Sequence, residues 1–283
     1  MKSFHLDKII LEALREDAYN QDITTEYFVP KNRVSRGYIV VKEDAVVCGL
    51  DIARKVFTKL DKNCKFTSTY KDGTRVKKGT KIAFLSGRTR ALLTGERTAL
   101  NFLAHLSGIA TKTRTFLDKV RPFKVQILDT RKTTPGLRAL EKYAVRCGGG
   151  INHRCDLGAM ILVKDNHGKI FHGYKNLCAA IEKIKKIMKK PIQVEVEDLV
   201  QLKEVLKVSP DLILLDNMSP AQLKIAVRTA RKIFPRGAPI LEASGGVSLK
   251  NIRGIARTGV DRISIGALTH SAKAINMSME LLN

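Results

Sequence analysis

The C-terminal half of the chain alternates short apolar runs with amphipathic segments, and this alternation constrains the fold more than any other feature. Six runs have the length and composition of buried strands, and each of the first five precedes a segment with helical spacing. Repeated βα units imply a parallel sheet, either doubly wound or closed into a barrel. The strands are predicted at residues 124–128, 159–163, 192–196, 212–215, 239–242 and 262–265.

The residues that follow these strands favour the barrel. In a (β/α) barrel all the carboxyl ends of the strands converge on one mouth, where the active site lies. A doubly wound sheet concentrates function at one switch point instead. Six consecutive strand ends here carry charged, polar or glycine residues, so we predict an incomplete barrel of six or seven strands. These ends are 129–132, 164–167, 195–197, 216–217, 244–246 and Gly266.

The N-terminal part mixes predicted helices and strands without this regularity. Residues 91–120 have a long helical pattern, in which Gly108 is expected to separate two helices. The patterns also predict helices at 6–18 and 52–60 and strands at 37–41, 45–48 and 65–70.

The net charge of +24 and the pI near 10 suggest an anionic partner. The partner class is either a nucleic acid or a phosphorylated small molecule, although a generally lysine-rich surface would produce the same composition. The chain lacks tryptophan, has only 6% aromatic residues and contains no recognised nucleic-acid motif. These features favour a small molecule over nucleic acid.

Cysteine usage and hydropathy indicate a cytoplasmic protein that does not associate with membranes. The five cysteines form no CxxC pair, so neither a disulfide framework nor a zinc site is indicated. The N-terminus is charged and amphipathic, unlike a signal peptide. The longest stretch without Asp, Glu, Lys or Arg, at 98–111, is too short to span a bilayer.

Cations and carboxylates follow the predicted strands in a pattern that suits a polyanionic ligand. Arginine recognises carboxylate or phosphate with two hydrogen bonds, and lysine acts as a point charge. Glu195 and Asp216 end neighbouring strands and would suit Mg²⁺ held partly through water, an acid–base pair, or salt bridges to the cations. The cations are Arg131, Lys132, Arg154 and Lys164, and His153 adds a neutral or cationic donor.

A small-residue loop, Ser244-Gly245-Gly246, comes before a segment predicted to be helical from Leu249. Such loops let backbone N–H groups approach a phosphate at a helix N-terminus. Gly266-Ala267, before the last short helical segment, repeats the arrangement. Paired late loops of this kind commonly hold one phosphate in barrels.

Taken together, these segments resemble the quinolinate phosphoribosyltransferase family. The resemblance extends from about residue 16 to 270 in order, and no signature position departs from the family pattern. It is carried by EDAYNQDITT, GERTALNFLAHLSGIAT, ILDTRKTTPGLRALEKYAVRCGGGINHR, ILVKDNH, VEVE, ILLDNMSP and LEASGGV.

The resemblance implies a two-domain enzyme that joins quinolinate to phosphoribosyl pyrophosphate, with Mg²⁺, to give nicotinate mononucleotide, pyrophosphate and CO₂. It implies an N-terminal α/β sandwich at residues 1–112 and a catalytic barrel at 113–270. A helix at 271–283 would pack back on the first domain. The reaction belongs to the synthesis of NAD.

The resemblance also implies residue roles. Lys132, Lys164, Glu195 and Asp216 would be catalytic, with the two carboxylates also binding ribose and metal. Arg97 has the spacing of an exposed surface cation, but it resembles an arginine that family dimers insert into the partner's active site. The remaining substrate-binding positions implied are Thr130, Arg131, His153, Arg154, Ser244, Gly245, Gly246, Gly266 and Ala267.

Two alternatives stay open at this stage. A related barrel phosphoribosyltransferase with another acceptor, such as the molybdenum-associated paralogues, would share the fold, but the intact RKT, HR and VKDNH segments argue against it. A nucleic-acid-binding protein would account for the charge. Salt-sensitive DNA binding that competes with phosphoribosyl pyrophosphate would support that second alternative.

Overall fold

A computed structural model describes residues 3–282, with side chains described from Leu6 onwards. The helices are α1 (Ser3–Glu16), α2 (Ile23–Phe28), α3 (Leu50–Leu60), α4 (Thr89–Val120), α5 (Arg138–Cys147), α6 (Asp165–Ile170), α7 (Tyr174–Ile187), α8 (Leu199–Leu206), α9 (Pro220–Ile233), α10 (Ile252–Ala256) and α11 (Ala267–His270). The strands are β1 (Val34–Val41), β2 (Ala45–Val46), β3 (Lys65–Thr67), β4 (Arg75–Val76), β5 (Lys81–Arg88), β6 (Gln126–Leu128), β7 (Ile161–Val163), β8 (Ile192–Val196), β9 (Leu212–Asp216), β10 (Ile240–Ser244), β11 (Arg262–Ser264) and β12 (Met277–Leu282).

The chain divides into two compact units. The first unit comprises the chain up to Arg114, Thr134–Gly149 and the segment from Ser271, and the second unit comprises Thr115–Thr133 and Gly150–His270. Helix α5 therefore belongs to the unit that contains the N-terminal half. The domain boundaries inferred from the sequence, at 112 and 270, stay a prediction.

The second unit contains all six predicted βα strands in one parallel sheet. Its strand order is β6-β11-β10-β9-β8-β7, so the first strand of the series pairs with the last. This cyclic order is that of a barrel and not of a doubly wound sheet. The ring lacks a ladder between β6 and β7, where only Ile151 forms a bridge, to Leu128. The predicted incomplete barrel is confirmed.

The register of the parallel strands determines which side chains share one face of this sheet. Leu214 lies opposite Glu195 on β8 and opposite Glu242 on β10. Side chains alternate between the two faces along a strand, so residues two apart point the same way. Gln193 and Glu195 therefore share this face with Glu242 and Ser244, and each pair has one member nearer the carboxyl end of its strand.

The first unit contains an antiparallel sheet with the order β12-β1-β5-β3. The predicted C-terminal helix is wrong, because β12 pairs with β1 along its length from Met277 to Leu282. The sequence of β12 explains the difference. Met277 and Met279 are buried, whereas Glu280 is exposed and Ser278 is half-buried, which is an alternation of period two.

Helix α4 is continuous, so the predicted division at Gly108 is also wrong. Gly108 instead provides room for a neighbouring segment of the same unit. A Cβ atom at this position would lie 2.2 Å from the carbonyl oxygen of Lys273. Despite its 32 residues, α4 is too polar to be a membrane span, and no helix within residues 3–282 is long and apolar enough for one.

Helix α3 is capped by an aspartate that is distant in sequence. The side chain of Asp72 accepts hydrogen bonds from the backbone N–H groups of Gly49 and Leu50, at 2.9 and 3.1 Å, and from the Tyr143 hydroxyl at 2.7 Å. Ligand atoms of Cys48, Asp72 and Cys147 lie within 4.8 Å of one another, although the sequence indicated no metal site. The three hydrogen bonds to its carboxylate explain the position of Asp72 by its role as the cap of α3.

We predict that Gly108→Ala lowers the free energy of unfolding by at least ~2 kcal/mol, because the new methyl group would overlap the Lys273 carbonyl. Gly254→Ala is the matched control: Gly254 is also helical, and a Cβ there meets no atom within 4 Å. The control should be neutral or slightly stabilising. Urea denaturation measures both variants, and equal stability of the two would contradict the packing role of Gly108.

Candidate active site

A cavity of about 530 Å³ lies at the carboxyl ends of the barrel strands. Every site residue inferred from the sequence lines this cavity, with the exception of Arg97. The sequence reasoning did not select the other lining residues. Five of them are apolar or small, and the sixth is a histidine in the last turn of the unit; they are Leu162, Leu214, Val247, Ser264, Ile265 and His270.

The end of β6 is fastened to the segment that carries His153. Asp129, which is fully buried, accepts a hydrogen bond from the backbone N–H of His153 at 2.9 Å and another from the Asn152 side chain. The backbone N–H of Asp129 in turn donates to the Ile151 carbonyl at 3.3 Å. Asp129 therefore holds the two cationic segments of the cavity wall against each other.

Arg131 and Arg154 place two like charges on that wall. Burial and the neighbouring charge of Arg131 lower the pKa of Arg154. The Arg154 side chain donates to the Met160 carbonyl at 3.1 Å, which restricts its direction. The Nε atom of Arg131 is buried and has no hydrogen-bond partner within the described part of the chain. Both observations indicate a wall built to receive an anion.

Lys132, next to Arg131 in the loop after β6, is bound to the helix that follows β11. Its backbone N–H donates to the Thr130 hydroxyl at 3.0 Å, and its carbonyl accepts from the buried Thr269 hydroxyl at 2.6 Å. Gly266 lies beneath the lysine, because a Cβ there would be 3.1 Å from Lys132 Cδ. The loop after β6 thus packs against α11 and is hydrogen-bonded to it.

Glu195 and Asp216 form the acidic side of the cavity. Burial raises the pKa of Glu195, the charge of Asp216 raises it further, and Lys164 opposes the change. The Asp216 carboxylate accepts from the Asn217 side chain at 2.7 Å. The two carboxylates repel each other in a cavity that is open to water. Such a pair of oxygen ligands suits a hard divalent cation such as Mg²⁺.

The glycine loop after β10 is shaped by close packing and by left-handed backbone conformations. Gly245 and Gly246 have φ angles of 87° and 57°, and a Cβ on Gly245 would lie 2.1 Å from Asn217 Oδ1. The following helix begins at Ile252 and not at the predicted Leu249. The loop therefore offers the backbone N–H groups of Gly245 and Gly246 themselves, and neither donates to an acceptor among residues 3–282.

His153 has both ring nitrogens engaged within the protein. Nδ1 accepts a hydrogen bond from the backbone N–H of Arg154 at 2.8 Å. Nε2 lies 3.0 Å from Gln193 Oε1 and 3.3 Å from Glu242 Oε1. Gln193 and Glu242 were missed by sequence reasoning, although each is a polar residue between two apolar neighbours of its strand.

Arg97 is the predicted site residue that the cavity does not include. It lies on α4, is exposed, and forms no hydrogen bond or ion pair with any residue of the described chain. Its role in a partner's active site stays a prediction.

The fold and cavity define an α/β-barrel enzyme whose cavity is lined by a cationic wall, a carboxylate pair and a glycine loop. Family models described as the N-terminal and C-terminal domains of quinolinate phosphoribosyl transferase match residues 22–107 and 109–280. The chain belongs to the quinolinate phosphoribosyltransferase family.

Individual relatives agree with this assignment over nearly the whole chain. The nicotinate-nucleotide pyrophosphorylase (carboxylating) of Mycobacterium leprae is 42% identical over 96% of this chain and 95% of its own length. Quinolinate phosphoribosyltransferase (decarboxylating) 1b of Nicotiana tabacum is 36% identical over 99% and 83%. The solved structure of the Francisella tularensis nicotinate-nucleotide pyrophosphorylase aligns with a TM-score of 0.92 at 37% identity, covering 100% of this chain and 98% of that one.

We predict that two substitutions move the pKa of Glu195 in opposite directions. Asp216→Asn should lower it, because a repelling charge is removed, and Lys164→Met should raise it, because an attracting charge is removed. The side-chain carboxyl signal of Glu195, labelled with ¹³C and followed through a pH titration, reports both changes. Movement of the pKa in the same direction in both variants would refute this account of the acidic side.

Proposed function

We infer that the chain transfers the phosphoribosyl group of phosphoribosyl pyrophosphate to quinolinate, with loss of CO₂, in the synthesis of NAD. The products are nicotinate mononucleotide, pyrophosphate and CO₂. The observation that carries the inference is that one cavity holds the cations, the carboxylate pair and the glycine loop together. Family membership supplies the identity of the acceptor.

The cationic wall is suited to the two adjacent carboxylates of quinolinate and to pyrophosphate. Arg131, Arg154 and Lys164 line the cavity with Lys132, and the buried Nε of Arg131 lacks an acceptor within the described chain. A substrate carboxylate would satisfy that donor and reduce the repulsion between Arg131 and Arg154. We propose that these cations bind quinolinate and the pyrophosphate group.

The two glycine loops are suited to the 5′-phosphate of phosphoribosyl pyrophosphate. Ser244 ends β10 and Gly245 and Gly246 follow it, while Gly266 and Ala267 follow β11, the neighbouring strand of the sheet. Close backbone approach is possible there because a side chain is absent at the glycines. Successive N–H groups in such turns form concave sites for anions.

Glu195 and Asp216 are proposed to bind the ribose and to hold Mg²⁺, with water completing the coordination. Burial and the neighbouring charge of Asp216 raise the pKa of Glu195, and a divalent cation would relieve the repulsion between the two carboxylates. Bound Mg²⁺ would neutralise charge on the pyrophosphate leaving group. The same carboxylates would stabilise positive charge that develops on the ribose when the bond to pyrophosphate breaks.

The order of bond changes follows from the substrates. The ring nitrogen of quinolinate attacks the anomeric carbon, and pyrophosphate leaves with the bonding electron pair. The ring nitrogen is then quaternary and positively charged, and it stabilises the electron pair that the departing CO₂ leaves on the adjacent ring carbon. A proton replaces CO₂ on the ring carbon. The protein contributes orientation of the two anions and electrostatic stabilisation.

Arg131→Ala and Lys164→Ala should each lower kcat/KM for quinolinate by roughly 10²–10³-fold, because each removes one of the charges aimed at the reacting anions. Arg253→Ala and Lys203→Ala are matched controls, since both residues are exposed and lie outside the cavity lining. Steady-state kinetics and thermal melts should show loss of activity without loss of fold. Near-normal kinetics in Arg131→Ala and Lys164→Ala would refute the proposed function.

We propose that the enzyme is a homodimer in which the partner subunit's Arg97 completes the cavity. Support comes from the exposed Arg97 guanidinium, which has no hydrogen bond or ion pair within residues 3–282. Helix α2 of the same unit exposes large apolar side chains that a second subunit would cover. The exposed fractions are 70% for Ile23, 88% for Tyr27 and 83% for Phe28.

We predict that inactive Arg97→Ala and Arg131→Ala chains restore activity when they are mixed and allowed to exchange subunits. Each mixed dimer would contain one cavity with both arginines intact and one with neither. Random exchange of equal amounts makes about half of the dimers mixed, so total activity should approach about one quarter of the wild-type value. Differently tagged chains and copurification measure the exchange. Proven exchange without any recovery would contradict a shared site.

We also propose a cytoplasmic location. All five cysteines are free thiols, as is usual in a reducing compartment.

A further inference from the structure

The barrel contains a buried polar group directly beneath the proposed substrate cavity. Gln193 and Glu242 are both fully buried, and each lies two residues before a cavity-lining residue of its strand, Glu195 or Ser244. Gln193 Nε2 donates to Glu242 Oε2 at 3.1 Å. Burying a carboxylate costs free energy unless hydrogen bonds or an opposite charge compensate for the lost water. Packing alone therefore does not explain why this pair lies in the barrel interior.

The third member of the group is His153, whose side chain is only 9% exposed. Its Nδ1 accepts the backbone N–H of Arg154 at 2.8 Å, so Nδ1 must present a lone pair and not a proton. The single ring proton of a neutral imidazole is then on Nε2. This nitrogen lies between two acceptor oxygens, Gln193 Oε1 at 3.0 Å and Glu242 Oε1 at 3.3 Å.

The two acceptors have different roles in fixing that proton. Gln193 Oε1 is the shorter and better aligned contact, and Glu242 Oε1 is left buried without an aligned donor. Its negative charge nevertheless lies against Nε2 and favours a proton there over one on Nδ1. Gln193 cannot reverse its amide easily, because its Nε2 already donates to Glu242.

We propose that Gln193 and Glu242 are positioning residues that hold His153 in the neutral Nε2–H form, so that its Nδ1 fixes the backbone of Arg154. The His153 backbone N–H is also engaged, with Asp129 Oδ1 at 2.9 Å. The ring therefore has no N–H to offer to a substrate anion. His153 therefore does not act as a direct donor to the substrate. It acts through Arg154, which lines the cavity.

The inference about the tautomer stands on the geometry alone, and only its kinetic consequence rests on the proposed function. The tautomer is measured by ¹⁵N NMR of protein labelled at histidine, with the His153 signals assigned by their loss in His153→Gln. We expect one protonated nitrogen, Nε2, in the free protein and at saturating quinolinate. A protonated Nδ1, alone or together with Nε2, in either condition would overturn the proposal.

Variants at Glu242 then separate positioning from general structural support. Glu242→Leu removes the charge and the acceptor for Gln193, and should mix the two tautomers and raise KM for quinolinate by roughly tenfold or more. Glu242→Gln keeps an acceptor oxygen and should preserve most of the Nε2–H form and most of the affinity. A folded Glu242→Leu variant with unchanged tautomer and unchanged KM would overturn the proposal.

A chemically similar pair provides the spectroscopic control. Glu141, also fully buried, lies 3.0 Å from His105 Nε2 in the other unit. Glu141→Gln should change the His105 signals and leave those of His153 unaffected. If Glu242→Leu does not fold, the wild-type spectra still decide the proposal. If wild-type protein does not turn over quinolinate, the proposed function fails while the tautomer result stands.

Discussion

The pairing of the first barrel strand with the last is the interaction on which the site depends. Residues Gln126–Leu128 lie alongside Arg262–Ser264 in parallel register, although more than a hundred residues separate them in the chain. This contact turns an open row of strands into a ring, so all the carboxyl ends face one cavity. Without it, the cations after β6 and the glycine loop after β11 would lie at opposite edges of a sheet.

The ring brings like charges close together. This favours the binding of oppositely charged ligands at the expense of the stability of the unliganded protein. Burial and the neighbouring charge of Arg131 lower the pKa of Arg154, and burial and the neighbouring charge of Asp216 raise the pKa of Glu195. Active sites commonly retain such unfavourable pairs because substrates or metals relieve them. The two repulsive pairs are of opposite sign, which supports the proposed Mg²⁺-assisted reaction between two anions.

Much of the fold could be predicted from the sequence, because it depends on local periodicity. All six barrel strands were anticipated from apolar runs, and their polar ends identified the residues that line the cavity. The errors came from long-range contacts. Gly108 has the appearance of a helix break but makes room for Lys273, and the C-terminal strand exists because β1 offers it a partner.

The buried support of the site could not be predicted for the same reason. Gln193 and Glu242 are noticeable as polar residues in apolar strands, but only the register brings them together beneath His153. The engagement of His153 Nδ1 by its neighbour's backbone likewise depends on local geometry that no spacing rule contains. Sequence reasoning therefore identified the residues around the anion more readily than those that orient them.

The most direct test of the account is the release of labelled CO₂ from carboxyl-labelled quinolinate by the purified wild-type protein. The account predicts release that requires both phosphoribosyl pyrophosphate and Mg²⁺ and that yields nicotinate mononucleotide in equal amount. Absence of CO₂ release with both additions present, from protein shown to be folded, would contradict it.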